Sequence, residues 1–247
     1  MSRAFYEGLA REAAARYPAS DRFARGFAYG KLTRDPAFRY LLERGLVRPG
    51  ARVLDLGCGQ GLLATLLAAA GDAGANGWPR DWGEAPAGAT VHAIEIRKSD
   101  VERARAAGCA AEIVHADIRS AAFAATDVCV LLDVLHYLDR AAQDDVLRRA
   151  KEALAEGGLL LVRVADRSQG ARYALTVAAD RLATAMRGNV LLRYHHRTLA
   201  EWDATLAALG FDVEHVSMSA GTPFANVLLV ARYDRPRCTR SASPPTR

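Results

Sequence analysis

The sequence predicts an α/β fold in which a mostly parallel sheet of seven strands, with an antiparallel last strand, is covered by helices on both faces. Three observations support this prediction. Beyond Gly50, short apolar runs alternate with helical patterns, as in chains that build parallel sheets. These runs lack a polar face, which indicates strands that are buried on both sides. The last two runs are joined by only "GTPF", which is too short for a crossover helix, so we expect them to be antiparallel neighbours.

A helical cap is predicted ahead of the sheet, in residues 1–48. The stretch "SRAFYEGLAREAAARY" has helical periodicity and stops before Pro18. In "TRDPAFRYLLERGL", Asp35 is placed as the N-cap, Pro36 as the first helical residue and Gly45 as the stop signal. We therefore expect this segment to form helices that end before the first strand.

From Gly50 the predicted helices and strands alternate in a regular order. Helix "GLLATLLAAAG" closes at Gly71, and Ser99 with Glu102 forms a capping box for "DVERARAAG". Helix "RAAQDDVLRRAKEALAEGG" leads to the fifth strand, and a helix over 198–209 starts with a second capping box, Thr198 and Glu201. The predicted strands are, in order, ARVLDL, ATVHAIEI, AEIVHA, TDVCVLLDVL, LLLVRVA, FDVEHVSMSA and ANVLLVARY.

Charge and composition narrow the range of partners. The net charge is +5, but four arginines and no acid fall in residues 235–247, which leaves the rest of the chain nearly neutral. That stretch is rich in Pro, Ser and Arg, so we expect a disordered basic tail. A nearly neutral body argues against a nucleic-acid partner.

Location and metal binding are also bounded by composition. No apolar run approaches the ~18 residues of a membrane-spanning helix, and the N-terminus does not resemble a secretory signal. The four cysteines form no CxxC pair and no cluster with zinc spacing. We therefore expect a cytoplasmic protein with reduced thiols and no metal.

The most informative stretch is "VLDLGCGQGLL", residues 53–63. Gly57, Gly59 and Gly61 follow the first strand, where glycines let the backbone turn sharply and approach a ligand. The GxGxG spacing differs from the GxGxxG fingerprint of dinucleotide-binding proteins. Asp55 precedes the glycines, and its carboxylate would repel a pyrophosphate but suit a cationic or ammonium-bearing ligand. The pattern therefore favours a ligand that carries positive charge.

These residues resemble the first motif of the class I S-adenosylmethionine-dependent methyltransferases. Later motifs of that family follow in order, with Glu95 ending the second strand and "HADI" following the third. "DVCVLLDVLHYL" resembles the fourth-strand motif, and "LAEGGLLLVRV" resembles the glycine turn and fifth strand. The resemblance implies a Rossmann-like three-layer αβα sandwich over residues 49–234, with S-adenosylmethionine as donor and S-adenosylhomocysteine as product.

The resemblance also implies which residues bind the donor. Glu95 would bind the ribose hydroxyls, Asp117 and its neighbour would flank the adenine, and Asp133 would lie near the methionine moiety. A helix N-cap remains the competing interpretation of Asp117. The donor-binding residues implied are Asp55, Gly57, Cys58, Gly59, Gly61, Glu95, Ile96, Asp117, Ile118 and Asp133.

One departure from the family is an insertion at residues 74–89. Gly59 and Glu95 are 36 positions apart, against the ~20 expected between such motifs. The insertion falls after a helix and before a strand, at the edge of the sheet opposite the ligand crevice. Trp78 and Trp82 are therefore predicted to serve in packing or at an interface rather than in substrate binding.

The acceptor side is predicted from position. His136 and Tyr137 lie in the loop after the fourth strand, so they face the reaction centre as candidate catalytic residues. A general base is needed only if the acceptor must lose a proton, and His136 is the candidate. The stretch "YHHR", residues 194–197, is either a wall of the acceptor pocket or a solvated loop. The cap is predicted to fold over the crevice as a lid, with Phe27, Tyr29 and Lys31 near the acceptor.

Several functions remain in competition. The leading one is O- or C-methylation of a small-molecule acceptor in biosynthesis, and methylation of nucleic acid or protein is the alternative. The fourth strand ends "DVLHYL" without a (D/N)PP(Y/F) motif, which argues against methylation of a base nitrogen. A non-catalytic donor-binding module and a nicotinamide dehydrogenase are further alternatives. "FARGFAYGKLTRDP", "LDVLHYLD" and "GTPFANVLLVAR" resemble small bacterial methyltransferases of aryl-polyene or related lipid pathways. The sequence is compatible with either a monomer or a homodimer.

Overall fold

The computed structural model describes residues 2–74, 77–186 and 193–233. The predicted tail at 235–247 lies outside the described residues. Seven strands form one sheet: Arg52–Leu56, Thr90–Glu95, Glu112–His115, Thr126–Leu132, Leu154–Ala165, Phe211–Ser217 and Asn226–Tyr233, numbered β1 to β7. They lie side by side in the order β3-β2-β1-β4-β5-β7-β6. Strands β1 to β6 run in the same direction, and β7 pairs antiparallel with both β5 and β6, as predicted.

Helices cover both faces of the sheet and form the cap. Two short 3₁₀ turns, Leu135–Tyr137 and Arg167–Gln169, follow β4 and β5. Within the described ranges, no helix is both long and apolar enough to cross a bilayer. The α-helices are Ser2–Ala15, Arg22–Arg34, Pro36–Glu43, Leu62–Ala73, Lys98–Ala107, Arg140–Ala153, Ala171–Met186 and Leu199–Ala208, numbered α1 to α8.

Alternate side chains of the strands feed two hydrophobic cores, one on each face. On one face, Val53 and Val130 pack in a single cluster with α4 and with the buried side of the cap helices. On the other face, Leu54 and Leu131 pack with α6 and α8. Tyr6 of α1 also donates a hydrogen bond to the carbonyl of Leu32 in α2, at 2.8 Å. The cap therefore shares its core with one face of the sheet.

Three boundaries differ from the sequence prediction. Helix α4 runs through Gly71 and ends at Ala73, because glycine is tolerated inside a helix that packing supports. Helix α5 begins at Lys98 with Arg97 as its N-cap, so Ser99 lies inside the helix and the predicted Ser99–Glu102 capping box is wrong. Helix α6 ends at Ala153, before "LAEGG", where Gly157 adopts a positive φ of 73° that an α-helix does not allow.

The other predicted caps are confirmed. Asp35 accepts a hydrogen bond from the backbone N–H of Ala37, with Pro36 in the first turn of α3. Thr198 and Glu201 form a reciprocal capping box at the start of α8. These caps satisfy N–H groups that a helix leaves without intrahelical partners, so they set where each helix starts.

The insertion packs against the cap, as predicted for its tryptophans. Trp78 and Trp82 lie edge to face, 5.5 Å apart, and both contact the ring of Phe5 in α1. The Gly50 N–H donates to the carbonyl of Ala87 at 2.8 Å, which places the insertion beside the entry to β1. The tryptophans therefore tie the insertion to α1 of the cap.

Candidate active site

The glycine turn after β1 requires backbone conformations that favour glycine. Gly57, Gly59 and Gly61 have φ angles of 75°, 57° and 82°. A Cβ on Gly57 would lie 2.5 Å from Cγ2 of Val134, whereas a Cβ on Gly59 would meet no atom within 4 Å. Gly57 is therefore needed for packing against the loop after β4, while Gly59 borders open space where a ligand can approach.

Two buried carboxylates meet beside this turn. Asp55 lies in β1 and Glu95 ends the neighbouring strand β2, and each is only 5% exposed. Oε2 of Glu95 accepts a hydrogen bond from the N–H of Gly59 at 2.9 Å, and Oε1 accepts one from the N–H of Arg97 at 2.9 Å. Glu95 therefore holds the glycine turn against the end of β2.

The electrostatics of Asp55 favour a positively charged ligand. Burial, reinforced by the negative charge of Glu95, raises the pKa of Asp55 to about 7. An ionised carboxylate is disfavoured in this position unless a positive charge lies nearby. A cationic ligand would supply that charge and stabilise the carboxylate form.

The residues predicted around the adenine lie in different environments. Ile96, directly after β2, is 58% exposed, whereas Ile118 is 7% exposed and packs in the core with α6 and α8. Asp117 follows β3 and accepts from the N–H of Arg119 at 2.9 Å, and the Arg119 guanidinium holds the pKa of Asp117 below its usual value. Residues 118–120 form a turn rather than a helix, so the competing N-cap interpretation of Asp117 is wrong.

Asp133 belongs to an ionic network around the buried Arg163 that sequence reasoning missed. It follows β4 with a φ of 60°, a conformation rare in residues other than glycine. Arg163 of β5, 2% exposed, donates from Nε to Oδ1 of Asp133 at 2.7 Å and from Nη1 to Oδ1 of Asp35 at 2.6 Å. Although burial opposes ionisation, the charge of Arg163 holds the pKa of Asp133 low.

The same network ties the cap to the carboxyl edge of the sheet. Nζ of Lys31 lies 2.8 Å from Oδ2 of Asp35 and 3.9 Å from Oδ2 of Asp133. Gln60, within the glycine turn, donates to the carbonyl of Ala24 in α2 at 3.0 Å. The cap therefore contacts both the glycine turn and the end of β4.

His136 and Tyr137 lie in a cluster of aromatic rings after β4. The ring centroid of His136 is 4.1 Å from that of Tyr137, 5.4 Å from that of Tyr194 and 5.5 Å from that of His196. The structure thus brings "YHHR" beside the predicted catalytic pair. Burial lowers the pKa of His136 to about 4, so its imidazole is neutral at pH 7.

The fold and this edge define a class of protein. A seven-stranded sheet with one antiparallel strand, a glycine turn after β1 and an acidic residue ending β2 is the Rossmann-like arrangement that binds a nucleoside at the carboxyl edge. The Methyltransferase domain family matches residues 26–216, and the chain belongs to this family, which confirms the predicted resemblance. No curated protein sequence matches the chain.

Solved structures share the fold at low sequence identity. An O-methyltransferase family protein from Burkholderia thailandensis is 18% identical with a TM-score of 0.57, covering 88% of this chain and 62% of its own. An O-methyltransferase family 2 protein from Planctomyces limnophilus, in complex with apigenin, is 17% identical with a TM-score of 0.55, covering 86% and 60%. Magnesium protoporphyrin IX methyltransferase (ChlM) from Synechocystis, with bound S-adenosylhomocysteine, is 17% identical with a TM-score of 0.57, covering 94% and 98%. The chain spans about three fifths of the length of the two O-methyltransferases.

Proposed function

We propose that the chain is an S-adenosylmethionine-dependent methyltransferase that transfers the methyl group to a small-molecule acceptor. The observation that carries the proposal is the pairing of Asp55 and Glu95 at the glycine turn, with Glu95 bonded to the N–H of Gly59. Two carboxylates suit a donor with a sulfonium and an ammonium group, and they disfavour the pyrophosphate of a dinucleotide. Family membership supports the same activity.

The residues at the turn fit this donor. The space above Gly59 is open, so a ligand can approach the backbone closely. Glu95 would accept hydrogen bonds from ribose hydroxyls, and Ile96, which is exposed, would offer an apolar surface to the adenine. Asp117 would bind the adenine edge in place of Arg119, and Ile118 would support that loop from the core. The Cys58 thiol is buried, which raises its pKa, so Cys58 contributes packing and backbone rather than a nucleophile.

The donor supplies an activated methyl group, so the chain mainly has to bind, align and exclude water. Asp133, held by Arg163, would orient the methionine moiety from the end of β4. His136 and Tyr137 would contact the acceptor, and the neutral imidazole of His136 would accept a proton from an acceptor that must lose one. By this proposal the methylated acceptor is an intermediate or product of a biosynthetic pathway. The cytoplasmic location of the protein stays a prediction.

The cap is proposed to act as a lid. Helix α2 contacts the glycine turn through Gln60, and Lys31 approaches Asp133, so the cap lies where an acceptor would enter. The exposed rings of Phe27 and Tyr29 are available to cover it. Because the cap shares its core with the sheet, removing it would also expose apolar surface. Phe27→Ala therefore tests the lid with less disturbance of the fold than deletion of the cap would cause. We expect this variant to have lower turnover and unchanged donor affinity.

The experiment that tests the proposed function is transfer of a deuterated methyl group. The protein, S-adenosylmethionine labelled in its methyl group and a bacterial metabolite extract are incubated together, and mass spectrometry follows small molecules that gain the label. The Glu95→Ala variant should lose the transfer, and Glu112→Ala, a surface substitution in β3, should retain it. Label appearing in protein or nucleic acid, and in no small molecule, would contradict the proposed acceptor class.

A further inference from the structure

Two histidines from distant parts of the chain face one another beside the carboxyl edge of the sheet. The rings of His136 and His196 are stacked at 19° with their centroids 5.5 Å apart. Tyr194 is stacked on both, at 5.4 Å from His136 and 6.0 Å from His196. Tyr173 of α7 meets His196 edge to face at 5.4 Å. Aromatic surfaces from three segments therefore enclose a pair of imidazoles.

Both imidazoles carry a buried nitrogen that is not satisfied. Nε2 of His136 and Nε2 of His196 have no hydrogen-bond partner among the described residues. Buried polar atoms are nearly always paired, because an unpaired one costs the full desolvation of the group. Burial lowers the pKa of both side chains, so each imidazole is neutral and offers one N–H and one acceptor nitrogen. A ligand that both donates and accepts a hydrogen bond would satisfy the pair.

The two loops that carry these histidines are clamped together. The N–H of His195 donates to the carbonyl of His136 at 2.8 Å. Gln143 of α6 is fully buried, and its Nε2 lies 3.0 Å from the carbonyls of Leu135 and Leu138 and 2.7 Å from that of His195. These carbonyls flank the two histidines.

Arg197 completes the clamp. Its side chain is 5% exposed, and its Nε donates to Oε1 of Gln143 at 2.7 Å. It also donates to the carbonyl of Arg140 at 2.9 Å and to Oδ1 of Asp144 at 2.6 Å. Gln143 and Arg197 are therefore positioning residues that fix the relative placement of the two imidazoles.

We propose that His136 and His196 together bind the hydroxyl group of an aromatic acceptor, with the ring that bears it held among Tyr137, Tyr173 and Tyr194. A hydroxyl group can donate to one imidazole and accept from the other, and the surrounding rings favour a planar partner. The inference rests on the proposed methyl transfer for its chemical outcome. Hydroxyl binding itself does not depend on the donor.

In that reaction the methyl group moves from sulfur to oxygen. The hydroxyl oxygen forms a bond to the methyl carbon of S-adenosylmethionine, and the bond from that carbon to sulfur breaks. The sulfur keeps the electron pair and becomes the thioether of S-adenosylhomocysteine. The hydroxyl proton passes to Nε2 of one histidine and then to water. The pair thus identifies an O-methylation of a phenol as the class of reaction.

The test uses 4-fluorophenol and 4-fluoroanisole as probes, because they share a ring and only the first carries a hydroxyl. Binding to the full chain is followed by ¹⁹F NMR with S-adenosylhomocysteine present, and the histidine nitrogens are followed by ¹⁵N NMR. We expect 4-fluorophenol to bind about tenfold tighter, as loss of a hydrogen bond in a closed site would require. We also expect the ¹⁵N signals of His136 and His196 to shift.

Substitutions of the two histidines test whether they cause the tighter binding of 4-fluorophenol. His136→Phe and His196→Phe should each abolish the preference for 4-fluorophenol. His92→Phe should retain it, because His92 lies in β2 beside Glu112, 3.3 Å away, outside the cluster. Equal affinity for the two probes in the unchanged protein, or a hydroxyl preference without any shift of the two histidine signals, would overturn the inference even if a variant failed to fold.

The same samples separate this inference from the proposed function. Binding of S-adenosylhomocysteine without a hydroxyl preference would overturn the histidine site and leave the donor proposal standing. A hydroxyl preference at the histidines in a protein that binds no S-adenosylhomocysteine would support the histidine site and remove the methyl-transfer proposal.

Discussion

Replacing Asp55 with asparagine should stabilise the ligand-free protein at alkaline pH. The Asp55 side chain is 5% exposed, and burial beside Glu95 raises its pKa from 3.8 to about 7. Below pH 3.8 the group is protonated in both the folded and the unfolded chain, so it adds no penalty. As pH rises from 3.8 to about 7, the unfolded chain has released this proton while the folded chain still holds it, so stability falls across this window and levels off above it.

The magnitude follows from the same two pKa values. The difference between the unfolded-chain pKa of 3.8 and the folded-chain pKa of about 7 corresponds to a loss on the order of 4 kcal/mol in the free energy of unfolding at pH 8. Asparagine keeps the shape and removes the charge, so we expect Asp55→Asn to recover roughly half of this, about 2 kcal/mol. In a chain of this size, that gain raises Tm by about 4–8 °C. The gain should shrink by more than half at pH 5.

Urea unfolding and thermal melts at pH 5 and pH 8 check this prediction, and Asp127→Asn is the matched control. Asp127 has its pKa held low by hydrogen bonds and charge from Arg52, so neutralising it should cost stability, by up to about 1 kcal/mol and equally at both pH values. Asp55→Asn should also weaken S-adenosylmethionine binding, since it removes a carboxylate proposed to face the cationic donor. A loss of stability in Asp55→Asn at pH 8, or a gain independent of pH, would refute the reasoning.

Three further substitutions have defined outcomes. Glu95→Ala should weaken S-adenosylhomocysteine binding by roughly 2 kcal/mol, measured by calorimetry, because charge-assisted hydrogen bonds are lost. Gly57→Ala should destabilise the fold by roughly 2 kcal/mol more than Gly59→Ala in urea unfolding, because both strain a positive φ but only the first also meets Val134 at 2.5 Å. Gln143→Leu should lower the free energy of unfolding by about 2–3 kcal/mol, since buried groups lose their partner.

Controls and contradictory outcomes are available for each. Glu112→Ala should leave donor affinity unchanged, and equal affinities of the Glu95 and Glu112 variants would remove Glu95 from the donor site. Equal stability of the two glycine variants would show that Val134 and its loop move aside without lowering the free energy of unfolding. Gln169→Leu, at a part-buried turn, should change stability little. A similarly small effect for Gln143→Leu would show that its hydrogen bonds do not hold the loops.

The parts of the structure that the sequence predicts are those set by local pattern. The parallel strands, the antiparallel β7 and the glycine turn follow from apolar periodicity, short connections and glycine spacing, each read within a few residues. The order in which the strands lie side by side has no such local signal. Asp55 and Glu95 could be predicted because Asp55 is the next-to-last residue of β1 and Glu95 is the last residue of β2, so both lie at the carboxyl edge of the sheet. The missed start of α5 has a local cause too, since Arg97 bonds back to Glu95.

The ionic network could not be predicted in this way. Arg163 and Asp35 are 128 positions apart, and no spacing rule connects them. A partial signal exists, because an arginine inside the apolar run "LLLVRVA" must find a buried partner. Gln143 carries a similar signal, since it lies on the same helical stripe as buried Val146 and Leu147. Such isolated polar residues in apolar stretches indicate buried polar partners, but only the folded structure shows which residues those partners are.

Calorimetric titration of the full chain with S-adenosylhomocysteine, and separately with NAD, tests the central claim most directly. The claim is that the buried acidic pair at the glycine turn selects a nucleoside with a charged amino-acid arm over a dinucleotide. We predict saturable one-to-one binding of S-adenosylhomocysteine and far weaker binding of NAD, with Glu95→Ala reducing the former. Saturable binding of NAD in a protein that shows no heat with S-adenosylhomocysteine would contradict the account.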